Sequence, residues 1–143
     1  MKTKKMFFLA CLILLANITV QATIPQGIWK VTQITIERNT DGNIETVVHN
    51  SAAEVQSFIP SFNELEMDAQ NIVLRYDSWE ERAQYNISGN QLIVLTSVAR
   101  QIYEYSMRGE NLVLTAVYNY LYNLPTGQTQ QITENWTIVL KPK

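Results

Sequence analysis

The sequence predicts an all-β chain, an antiparallel up-and-down meander of about eight strands that closes into a barrel. Three observations lead there. Between Gly27 and Leu140, short runs rich in Val, Ile, Thr, Tyr and Trp are separated at close intervals by Gly, Asn, Asp or Pro. One hairpin signature occurs twice. Independent turns, each fixing its own register, place bulky side chains on the same sheet face.

The repeated signature is Tyr85-Asn86-Ile87-Ser88-Gly89-Asn90-Gln91-Leu92-Ile93-Val94 against Tyr105-Ser106-Met107-Arg108-Gly109-Glu110-Asn111-Leu112-Val113-Leu114. Each reads strand, tight turn, strand. A glycine opening a two-residue loop suits a type II′ turn, whose first corner needs a positive φ. This sets Ile87 opposite Leu92, Tyr85 opposite Val94, Met107 opposite Leu112, Tyr105 opposite Leu114 and Tyr103 opposite Ala116. In Leu124-Pro125-Thr126-Gly127-Gln128, proline suits the first corner of a type I turn and Gly127 the left-handed position that closes a three-residue loop. Pairing Leu124 with Gln128 puts Tyr120 opposite Ile132, Tyr118 opposite Glu134, Ala116 opposite Trp136, Leu114 opposite Ile138 and Leu112 opposite Leu140. The even-numbered residues chosen by one hairpin are those chosen by the next.

Toward the N-terminus, an Asp77-Ser78 turn pairs Tyr76 with Trp79 and Ile72 with Ala83. Asp41-Gly42 suits a type I′ turn that sets Ile36 opposite Val47 and Ile34 opposite His49. The first strand changes parity, with Trp29 and Val31 apolar on odd numbers and Ile34 and Ile36 on even ones, which predicts a bulge near Thr32-Gln33. One short helix is expected over Ser51 to Phe58, with Ser51 as cap, Glu54 in the capping-box position and Pro60 beyond its end. A single greasy face must be buried by folding over or closing up, and closure also removes exposed edges. A two-sheet sandwich is the alternative, but its crossovers need longer connections than these turns provide.

Lys2, Lys4 and Lys5 precede an apolar run from Met6 to Ala16, and Val20-Gln21-Ala22 offers small residues for cleavage before Thr23. Residues 1–22 therefore read as a signal peptide, too short in its apolar core for the ~20 residues of a bilayer span. Residues 23–143 read as one domain, exported to the periplasm or the extracellular space and without a transmembrane segment. Phe8-Leu9-Ala10-Cys11 loosely resembles a lipobox, but the cysteine sits in mid-core, so lipid anchoring there is not expected. Cys11 is the one cysteine, so the domain is expected to hold together by its core without disulfides. The chain has 11 basic and 13 acidic residues, a formal charge of −2. Losing three lysines takes this to −5, and the remaining cations are scattered, which argues against nucleic acid as a partner.

Gly27-Ile28-Trp29 at the head of the first strand resembles the Gly-x-Trp signature of lipocalins. The echoed hairpins resemble those of small secreted bacterial lipocalin-like domains. The resemblance implies an eight-stranded lipocalin-like barrel from about Gly27 onward, with Trp29 plugging a closed end and a small-molecule cavity at the other.

Candidate chemistry is sparse. His49 is the one histidine and reads as structural or exposed; no nucleophile elbow accompanies it, and no cysteine of the domain joins it in a zinc site. No metal, cofactor or catalytic constellation is expected, so the domain reads as non-enzymatic. Glu134 falls on the inward face, where a carboxylate is costly unless paired. It would bond the Tyr118 hydroxyl, meet a ligand donor, or sit in water at the rim. Glu81 is a formal second acid on that face, while Glu64, Glu66, Glu80 and Glu104 read as a solvated outer face. All seven tyrosines and two of three tryptophans follow Asp68, a set suited to a partly wet cavity or to ordinary barrel filling. The candidate ligand-binding residues are Trp79, Tyr85, Tyr103, Tyr105, Tyr118, Tyr120 and Glu134, facing a small apolar or amphipathic ligand in the interior. Against this stands a packed interaction module using a second, outer stripe of Ile93, Leu95, Ile102, Val113, Val117 and Leu121, covered either by the Ser51–Phe58 segment or by a second subunit in a homodimer.

Overall fold

The computed structural model describes residues 23–97 and 99–143; the expected leader, with Cys11, lies outside the described residues. Within them run β1 (Gly27–Thr40), β2 (Asn43–His49), β3 (Glu64–Met67), β4 (Asn71–Arg75), β5 (Glu80–Ser88), β6 (Gln91–Leu95), β7 (Arg100–Arg108), β8 (Asn111–Asn123) and β9 (Thr129–Pro142). The strands pair in the order β2-β1-β3-β4-β5-β6-β7-β8-β9, and β9 returns to pair with β1. Eight strands, β1 and β3 to β9, thus close an antiparallel barrel. The ninth, β2, lies beside the upper half of β1, whose lower half pairs with β3 on the same side.

The turn chemistry sets the ladders as expected. Ser88 faces Gln91, Arg108 faces Asn111, Tyr120 faces Ile132 and Ile36 faces Val47. Gly89 and Gly109 open their loops at φ +61° and +62°, the left-handed geometry that a side chain would strain. One expected pair is missing. The β7–β8 ladder stops at Glu104 and Thr115, and Tyr103 pairs on its other side alone, with Leu92 of β6. The upper half of β8 therefore runs on without β7, held by β9 alone along one side.

Side chains fill the barrel. Leu65, Ile72, Leu92, Val94, Leu112, Leu114 and Leu140 are inaccessible to solvent or nearly so, in one buried cluster with Trp29, Val31, Ile34, Ile36, Trp136 and Ile138. The expected bulge is present, since the β1–β9 register shifts between Val31 and Gln33. It leaves Thr32 as the extra residue, and the Thr32 hydroxyl donates to the Val139 carbonyl (3.2 Å). At the base, Trp29 is buried and its indole N–H donates to the Pro25 carbonyl (3.1 Å).

The expected helix over Ser51–Phe58 is corrected to a single 3-10 turn, Ala52–Glu54. The Ser51 hydroxyl makes no cap bond, Glu54 accepts instead from the Asn50 N–H, and Val55 is already extended. Beyond it the chain is drawn across the open end of the barrel as a strap, because its polar atoms find partners there. The Arg38 guanidinium donates to the Gln56 carbonyl (2.9 Å) and the Ser57 hydroxyl donates to Glu134 (2.8 Å). Phe58 lies against Tyr120 and Tyr122, on the inward side. The strap thus does not cover the outer stripe, where Leu95, Ile102, Val117 and Leu121 stay exposed while Ile93 and Val113 are buried.

Candidate functional site

Glu134 is fully buried at the open end, beneath the strap. Closure of the barrel sets it directly opposite Arg38 of β1. Its Oε1 accepts from Arg38 Nε (2.8 Å) and the Tyr120 hydroxyl (2.9 Å); its Oε2 accepts from the Ser57 hydroxyl (2.8 Å) and the Trp136 indole N–H (2.8 Å). Four donors on two oxygens saturate an ionised carboxylate. Of the three roles open to Glu134, the Tyr118 bond and the wet rim are therefore both replaced by a four-way clasp. Burial alone pushes its carboxyl up, but the bonds from Trp136, Ser57, Arg38 and Tyr120 outweigh it and hold it below the ordinary 4.5.

A depressed carboxyl stabilises the fold at every pH above its unfolded value, and that contribution fades as pH falls through the lower folded value. Thermal unfolding followed by circular dichroism is expected to move to lower temperature as pH falls below about 4.5, and to move less in Glu134→Gln, where other lowered carboxyls such as Glu64 and Asp68 still titrate. The alkaline side has the opposite sign. Burial first, then neighbouring acids and phenols, raises Tyr76 to about 12 and Tyr103 well above the usual 10. Both contributions are complete below pH 10 and are lost as pH climbs toward the folded values.

The seven residues expected to share one site fall into four places. Tyr120 and Glu134 belong to the clasp. Tyr118 and Tyr103 lie deeper, Tyr118 edge-on to Trp136 with ring centres 5.5 Å apart, and Tyr103 edge-on to Phe62 at 6.5 Å. Phe62, itself buried, packs edge-on against Tyr76 as well (6.4 Å), so aromatic rings stopper the upper interior. Trp79, expected on the inward face, is instead half exposed at the mouth and stacked flat on Tyr76 at 3.8 Å, since its turn leaves no strand above it to bury the second ring face. Tyr85 and Tyr105 point to the base, where their hydroxyls donate to the carbonyls of Asp68 (2.6 Å) and Gly89 (3.2 Å).

Two clefts flank the strap. The larger, about 480 Å³, is walled by Phe58, Tyr120, Tyr122 and Ile132, with Arg38, Thr40, Glu45, Gln56, Ser57 and Gln130 supplying polar atoms. The smaller, about 310 Å³, lies among Ile36, Arg38, Glu45, Val47, His49, Glu54 and Gln56. Tyr103, Tyr105 and Tyr118 line neither. Arg38, Ser57, Phe58 and Tyr122 are additions that the hairpin registers did not bring forward. Among the described residues no group of His, Cys, Asp and Glu has the arrangement of a metal site, and no helix is long and apolar enough to cross a membrane. Comparison with protein-family models, with curated proteins and with solved structures finds no match to this chain.

Proposed function

We propose that this chain is an exported, non-catalytic, lipocalin-like barrel that holds a small amphipathic molecule in the larger cleft over its open end, outside the filled interior. The carrying observation is the pairing of an aromatic wall, Phe58, Tyr120, Tyr122 and Ile132, with a part-exposed guanidinium at Arg38, in a space of about 480 Å³. That volume lies in the range of small-molecule sites, and an apolar wall with few oriented polar groups is their usual make-up. Arg38 is already held from two sides by Glu134 and Gln56, so its donors are preorganised at no further entropic cost. Glu45, paired beside Arg38 on β2, offsets the guanidinium, which favours a hydrogen-bonding head over a strongly anionic one.

Titration with anilinonaphthalene sulfonate, an amphipathic fluorophore, is the direct test, with native mass spectrometry of protein from its own host to find a retained ligand. Fluorophore binding is expected to weaken roughly tenfold in Phe58→Ala and in Tyr122→Ala, about 1.4 kcal/mol each, and to be unchanged in Tyr105→Phe at the base. Equal binding by all three variants would remove the cleft from consideration.

A further inference from the structure

The upper half of β8 has a free edge. Its ladder with β7 ends at Thr115, whereas its ladder with β9 continues to Asn123. The direction of its main-chain groups follows from the turns. The Leu124 N–H bonds the Gln128 carbonyl, so even-numbered residues of β8 bond to β9. Odd-numbered residues, Val117, Asn119, Leu121 and Asn123, then present N–H and C=O groups to the side that β7 has left. No strand among the described residues takes them up. Such an edge is normally blunted by charge, proline or brevity. Ala116-Val117-Tyr118-Asn119-Tyr120-Leu121-Tyr122-Asn123 has no charge and no proline, and Val117 and Leu121 are 61% and 71% exposed.

We propose that two copies of this chain join edge to edge through the upper half of β8, antiparallel about a two-fold axis at Asn119. This proposal goes beyond the ligand reading and does not depend on it. In that register Asn119 meets its own copy, and Val117 meets Leu121 of the second copy on the outer face, twice over by symmetry. Tyr118 meets Tyr120 of the second copy on the inner face, and the main-chain groups of Val117, Asn119 and Leu121 are paired, while those of Asn123 fall opposite Thr115, which is already in the ladder with β7, and stay in water. A second copy fits better than any charged partner, because a chain that is acidic overall meets its like here through a segment without charge, so the contact brings no repulsion of its own. The other free edge, β2, carries Glu45 and His49, and end-on growth from β2 to β8 would put Glu45 into the new ladder. The contact is one short strand pairing, at the small end of specific interfaces, so a dimer that dissociates in the micromolar range is expected.

Sedimentation equilibrium from low micromolar to submillimolar concentration is expected to show a monomer–dimer transition that stops at two. The double variant Val117→Lys with Leu121→Lys sets lysines opposite one another across the axis and is expected to be monomeric, as is Val117→Glu with Leu121→Glu. An equimolar mixture of the two is expected to dimerise again. Both positions are exposed, and unchanged circular dichroism separates loss of pairing from loss of fold. Asn119→Cys is expected to form a disulfide-linked dimer on mild oxidation, while Asn135→Cys, exposed on the neighbouring strand, is expected to form no such covalent link. A wild type that remains monomeric throughout, a lysine variant that dimerises like the wild type, or mass that keeps growing past the dimer would each overturn the proposal.

Discussion

Glu134→Ala is expected to destabilise the fold by about 3–5 kcal/mol, the usual cost of removing one partner from a buried ion pair. For a domain of this size this lowers Tm by roughly 10–20 °C. The loss exceeds that of an ordinary salt bridge because one carboxylate serves four donors from three parts of the chain: Arg38 from β1, Ser57 from the strap, and Tyr120 and Trp136 from the β8–β9 hairpin. Alanine leaves the indole N–H of a buried tryptophan and a part-buried guanidinium without their acceptor. Glu134→Gln keeps the size but introduces an amide whose N–H₂ faces donors, so it is expected to lose a large part of the same amount. Arg38→Met should cost less in the Glu134→Ala background than in the wild type, since the two groups act as a unit. Urea unfolding of the wild type and these four variants measures all of this, and equal cost of Arg38→Met in both backgrounds would show that the clasp is not cooperative.

Leu114→Ala is expected to cost about 2–5 kcal/mol, whereas Ile44→Ala should stay within about 0.5 kcal/mol. Both are aliphatic residues on strands, with similar propensity lost. Leu114 is wholly inaccessible in the barrel, pairing with Tyr105 on one side and Ile138 on the other. Ile44 is 65% exposed on β2, outside the closed sheet. Midpoints of chemical unfolding for the two variants give the comparison directly. Similar losses would mean that β2 is part of the cooperative core.

The parts of the fold legible in the sequence are those that a turn specifies locally. Gly89, Gly109 and Pro125-Thr126-Gly127 each fix a register, and a register fixes which alternate residues point inward, so Tyr105–Leu114 and Ala116–Trp136 could be read directly from spacing. Closure was expected but its register was not, because β1 and β9 lie at opposite ends of the domain and no turn joins them. Arg38 stands opposite Glu134 only through that pairing, which is why the carboxylate was visible as a problem and its counter-ion was not. The strap departs from its local signal for a related reason. Ser51 and Glu54 carry a local helix signal, but the hydrogen bonds available to Gln56 and Ser57 over the barrel mouth are tertiary, and they win over a helix too short to sustain itself. Arg75, bonded to Glu66 and near Glu64 and Glu80, adds order to an outer face that composition alone describes only as solvated.

Thr32 has a consequence for what change this architecture tolerates. Hairpin tips such as Pro125–Gly127 can gain or lose a residue at modest cost, since the flanking ladders need only slide the excess into the loop. At Thr32 there is no loop to absorb it. Trp29 and Val31 below and Ile34, Ile36 and Arg38 above are all aimed inward only because one supernumerary residue stands between them; strike it out and one half of the strand must turn inside out, either unplugging the base or carrying the guanidinium away from its carboxylate.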